Sequence, residues 1–83
     1  MNSLNKKEIA KEVLNIFSIF LNISVEELSM ESSPNNTTEW DSLNHIKIIM
    51  EIENIFNVEF SPEDSLEINT IKDVCNILNN KLN

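Results

Sequence analysis

Glycine and tyrosine are absent from this 83-residue chain, proline occurs twice, and cysteine, histidine and tryptophan occur once each. Each shortage excludes something. Without glycine the chain has no unstrained left-handed positions, so tight hairpin turns are not expected. The same absence removes a phosphate-binding P-loop, a dinucleotide-binding fingerprint and an EF-hand calcium loop, all of which need glycine at fixed offsets. A lone Cys75 cannot build a disulfide framework, and it falls on an apolar helical stripe where a small buried residue is expected. One histidine, one cysteine and scattered acids show no metal-ligand spacing, so no metal site is expected. Apolar runs reach no more than three residues. That is too short for a membrane span or a secretory leader, so the expected location is the cytoplasm, with no membrane insertion.

Basic residues are also scarce. Six lysines face fourteen acids, giving a formal net charge of −8. Residues 1 to 21 carry +1 and residues 22 to 83 carry −9. An acidic surface of this kind repels nucleic acid and anionic lipid and steers toward basic protein patches, although it also serves solubility. Residues 1–83 are expected to form one monomeric domain with a single modest core, because a chain this short buries only about 60 to 65% of its unfolded surface.

What is present is helical periodicity. Ile9, Val13, Ile16, Phe17 and Phe20 recur at helical spacing between Lys6 and Leu21, widened by Ala10, Leu14 and Leu21. Asn5 and Glu8 have capping-box spacing, and Asn22 suits the stop. Residues 22 to 40 form a long connection, expected to contain one helical turn capped by Ser24 with Glu27, and to be pinned by Val25, Leu28 and Met30. Ser32 to Thr38 reads as open loop. A second helix spans Ser42 to Phe56. Ile48, Ile49, Ile52 and Phe56 mark its core face, bordered by Ile55, while Leu43, Ile46 and Met50 form a second apolar strip that is either core, pocket rim or docking surface. Ser61-Pro62-Glu63-Asp64 opens a short helix ending near Leu66 or Ile68. Thr70 caps a last helix whose stripe is Ile71, Val74, Cys75, Leu78 and Leu82. Val58-Glu59-Phe60 alternates like a strand but is too short to pair alone. The expected fold class is all-α, a small bundle of three main helices plus one short helix with a long first loop.

Within that frame Trp40-Asp41-Ser42-Leu43 stands out. A serine at the mouth of a helix is exposed and lies at the positive end of the helix dipole, a suitable place for a phosphate-linked group. The chain around it is poor in catalytic groups. Asp41, Ser42 and His45 make an unconvincing nucleophile set, because nothing supplies a base geometry or an oxyanion hole and His45 reads as a solvated helix residue. Ser42 is therefore expected to be modified by another protein rather than to do chemistry itself.

The run Asp41-Ser42-Leu43, followed by Ile46, Ile48-Ile49-Met50, Ile52-Glu53 and Phe56, then Phe60-Ser61-Pro62-Glu63-Asp64 and the closing Thr70-Ile71 helix, resembles the acyl carrier, phosphopantetheine-binding family from about Lys6 to Leu82. The resemblance implies that Ser42 carries 4′-phosphopantetheine through a phosphodiester, installed from coenzyme A by a phosphopantetheinyl transferase. It implies a terminal thiol holding an acyl or aminoacyl group delivered by ligase, synthase or transferase partners. Asp41, Leu43, Ile46, Lys47 and Met50 take the positions of partner recognition, Asp41 also being a plain helix cap. Ile49, Ile52, Ile71, Val74 and Cys75 take the positions that wall an acyl slot, or are simply core.

Departures from the family pattern point away from housekeeping fatty acid synthesis. Its carriers usually bear acids just after the serine and along this helix, where this chain has Asn44, His45 and Lys47. The familiar Gly-Ala lead is replaced by Glu39-Trp40, more in the manner of carriers in polyketide-like, aminoacyl or glycan-modifying pathways. The rival reading is a small acidic adaptor with no prosthetic group, in which Ser42 is only a helix-cap residue.

Overall fold

The computed structural model describes residues 5–82. They form four helices, α1 Lys6–Leu21, α2 Ser42–Phe56, α3 Pro62–Leu66 and α4 Ile71–Leu82, with a 3₁₀ turn at Val25–Glu27. No strand occurs among the described residues. The fold is the all-α bundle expected, with α1 packed against both α2 and α4.

Local chemistry sets the boundaries. Asn5 accepts from the Glu8 amide at 2.8 Å while Glu8 accepts from the Asn5 amide at 3.0 Å, a complete capping box. Ser61 and Asp64 make the same reciprocal pair at α3, with Pro62 in the first turn. Thr70 and Asp73 repeat it at α4. Two helices stop without glycine. Asn22 and Asn57 take left-handed conformations (φ 57° and 55°) at the ends of α1 and α2, where asparagine is the tolerated substitute.

The core is shared by all three long helices. Ile9, Val13, Ile16, Phe17 and Leu21 of α1 meet Ile48, Ile49, Ile52 and Phe56 of α2 and Ile71, Val74, Cys75, Ile77 and Leu78 of α4. Phe20 and Leu82, expected in the stripes, are only partly buried, and Ile77 joins them instead. Ile55, on the border of the α2 core face, is 49% exposed.

The long connection differs most from expectation. Ser24 pairs with Glu26 rather than Glu27, its side chain accepting from the Glu26 amide and its hydroxyl donating to the Glu26 carboxylate. Leu28 and Met30 do pack on the core, but Val25 is 38% exposed because it sits on the outer side of that turn. Ser32 to Thr38 is not open. Successive turns close through Ser32 N–H to Ser29 O, Asn36 N–H to Ser33 O and Trp40 N–H to Thr37 O, and Ser32 and Thr37 are buried. The carbonyls of Met30 and Ser32 accept from the amides of Lys72 and Ile71 at 3.0 and 3.1 Å. The loop thus satisfies first-turn amides of α4 that no helical partner could. These bonds strap the connection across the bundle and deliver Trp40 to the start of α2.

Candidate functional site

The site begins with the cap of α2. Asp41 is extended (φ −104°, ψ −177°) and its carboxylate accepts from the Asn44 amide at 2.9 Å. The first helical bond runs from the His45 amide to the Asp41 carbonyl at 2.8 Å. Asn44 also donates from its side chain to the Glu39 carbonyl at 2.9 Å, locking the entry of the chain. Ser42 is therefore the first residue of the helix, exposed, and relieved of capping duty by its neighbour. The amides of Ser42 and Leu43 lie ahead of the helical ladder, where an anion is favoured by about 0.3 to 1 kcal/mol.

The residue before the cap is tied down twice. Trp40 is 3% exposed and meets Phe17 edge-on, ring centroids 4.8 Å apart and planes at 67°. Its indole N–H donates to His45 Nδ1 at 3.0 Å, and the two rings lie nearly parallel with centroids 6.0 Å apart. His45 is thus half-buried, not solvated as the sequence suggested, and burial holds its pKa below the ordinary imidazole value. Only the spacing carries a signal for this pair. Trp40 is the residue before the cap and His45 the fourth of the helix, the two positions of a hydrophobic staple.

Pro34, Trp40, Asp41, Ser42, His45 and Ile46 line an open groove of about 430 Å³. Pro34 reaches it from the folded connection, a contribution that no local pattern announced. A larger depression of about 610 Å³ lies along α2 between Lys47, Met50, Glu51, Glu53, Asn54 and Phe20, and no hydroxyl or thiol lines it.

The second apolar strip of α2 faces outward. Leu43 is 61% exposed, Ile46 55% and Met50 62%, with Lys47 exposed beside them. Three aligned apolar side chains in water with a charged rim suit a transient docking face. Ile49, Ile52, Ile71, Val74 and Cys75 are brought together in the core. Burial pushes the Cys75 thiol up to about 11, so it stays protonated and unreactive near neutral pH.

The family model described as a phosphopantetheine attachment site matches residues 11–78. The chain belongs to the phosphopantetheine-binding acyl carrier family. It is 33% identical over 79 residues to an acyl carrier protein of Coprothermobacter proteolyticus, covering 95% of this chain and 96% of that one. It is 36% identical over 73 residues to an acyl carrier protein of Buchnera aphidicola, covering 88% and 92%. A third acyl carrier protein, from Cyanidium caldarium, is 32% identical over 80 residues, covering 96% and 93%. As a member of this family the chain is a non-catalytic carrier with covalently attached 4′-phosphopantetheine. The residues present fit that group: an exposed helix-start hydroxyl opens on a groove with both polar and apolar walls. Among the described residues, no helix is long and apolar enough to cross a membrane.

Proposed function

We propose that Ser42 is the attachment residue, and that residues 1–83 act as one carrier domain for an acyl or aminoacyl thioester in a specialised biosynthetic pathway rather than in housekeeping fatty acid synthesis. The observation that carries the attachment is the exposed Ser42 hydroxyl on the first turn of α2, free of the cap and open to the groove. Ser42 Oγ attacks the pantetheine phosphorus of coenzyme A in the transferase active site. The bond from that phosphorus to the adenosine bisphosphate oxygen breaks, and the hydroxyl proton passes to a base of the transferase. The attached arm supplies a terminal thiol for thioester formation. The core Cys75 is no competitor for that role, being buried and protonated. The decisive test is intact mass after incubation with coenzyme A, magnesium and a broad-specificity transferase, followed by peptide mapping. One added phosphopantetheine on the peptide containing Ser42 supports the assignment; an added group elsewhere overturns it.

Leu43, Ile46 and Met50 serve as the docking strip for the transferase and the loading enzymes, with Asp41 and Lys47 at its rim. Ile49, Ile52, Ile71, Val74 and Cys75 are the side chains that would part to shelter a short acyl chain, since they line the buried sides of α2 and α4. The pathway reading rests on Lys47. A positive charge on an exposed face opposes docking with enzymes whose basic patches meet acids there. Lys47→Glu is expected to lower the KM of general fatty-acid-synthesis enzymes for this carrier about three- to tenfold with little change in kcat, the scale of a rim charge. An unchanged KM would remove the argument for a dedicated partner set.

A further inference from the structure

The groove beside Ser42 has a donor held in place. An indole N–H can only donate, so His45 Nδ1 accepts and the neutral ring carries its proton on Nε2. The ring is fixed by that bond and by the nearly parallel indole at 14° between planes. His45 and Ser42 are three residues apart on α2, hence on one face, and both line the groove. Ile46 and Pro34 give the same groove an apolar side.

We propose that this groove seats the base of the prosthetic arm, with the Nε2–H of His45 donating to the phosphate and Ile46 with Pro34 packing on the apolar segment next to it. This rests on attachment at Ser42. The chemistry matches on both sides. A phosphodiester offers only acceptors and one negative charge, and an N–H bond to it is charge-assisted. One methylene beyond the phosphate ester oxygen, the pantetheine chain has a carbon bearing two methyl groups, which an apolar wall accepts. His45 takes no part in a covalent step; it is a positioning residue for the arm. Trp40 acts through it by fixing which nitrogen is the donor.

The test uses a tag-free chain, because His45 is then the sole histidine. The His45 ring resonances are followed by NMR from pH 5 to 7.5 before and after loading, with intact mass reporting the loading itself. Loading is expected to raise the His45 titration midpoint by about 0.5 to 1 pH unit, the modest end of what an opposite charge does, because the groove is open to solvent. Glu39, Asp41 and Lys47 are the charged neighbours along the chain, and because the same chain is compared before and after loading their contribution is common to both measurements. The phosphorus resonance of the loaded chain is expected to move with the same midpoint, since a phosphodiester has no titration of its own in that range. In His45→Phe it is expected to become flat. An unchanged midpoint in fully loaded protein overturns the seating of the arm. A chain that gains no mass overturns the attachment at Ser42 instead.

Discussion

Ser42→Ala is expected to abolish phosphopantetheine loading while changing stability by no more than about 0.5 kcal/mol, the usual effect of an exposed substitution outside a cap. The two halves of that expectation have separate physical grounds. Loss of loading is complete because no neighbouring group can substitute for the hydroxyl. Stability is spared because Asp41, not Ser42, accepts from the Asn44 amide and holds the helix start. Ser61→Ala is the natural contrast. Ser61 also sits at a helix start, but its hydroxyl oxygen accepts from the Asp64 amide at 3.0 Å. Its removal is expected to cost about 1 kcal/mol and leave loading intact. Intact mass and urea unfolding on the two variants therefore give opposite patterns. A phosphopantetheine gained by Ser42→Ala would sink the attachment assignment, and a large stability loss in the same variant would mean that Ser42 has a structural duty not visible in its hydrogen bonds.

The contrast explains why so much of the fold was legible in the sequence. Helix ends are written locally. Asn5 with Glu8, Ser61 with Asp64 and Thr70 with Asp73 are each three residues apart, and each pair closes as a capping box. The apolar periods between those marks then placed the buried faces of α1, α2 and α4, and left Leu43, Ile46 and Met50 facing out. Ser42 was legible for the same reason, since a cap and a helix together define the first exposed position.

What the sequence hid depends on contacts between distant residues. The bonds from Ile71 and Lys72 to the carbonyls of Ser32 and Met30 join backbone atoms some forty positions apart. Backbone carbonyls carry no residue signature, so the order they impose on Ser32 to Thr38 could not be read. Pro34 enters the groove only because that order exists. His45 was misplaced for a subtler reason. Its pairing with Trp40 follows the staple spacing, but a polar ring opposite an indole does not look apolar in a periodicity.

Phe17→Ala is the largest stability effect expected anywhere in the chain, about 3 to 5 kcal/mol, because a fully buried aromatic leaves a cavity that its neighbours fill only in part. The edge-on contact with Trp40 adds about 0.5 to 1.5 kcal/mol beyond the area term. At about 0.05 to 0.15 kcal/mol per residue, a chain of this size has about 4 to 12 kcal/mol in total. The variant is thus expected to be largely unfolded, or to unfold in low urea, with Trp40 fluorescence as the reporter since the chain has one tryptophan. Phe17→Leu separates packing from aromaticity. It refills most of the cavity but removes the ring that fixes Trp40, so it is expected to stay folded at a cost of about 1 to 1.5 kcal/mol. In that variant the indole loses its anchor while α1 remains packed, and the groove wall loosens without the bundle opening. If Phe17→Ala costs less than about 1 kcal/mol, far below the range for buried aromatics, the ring is not central to the core. The site would then owe its geometry to the loop bonds alone.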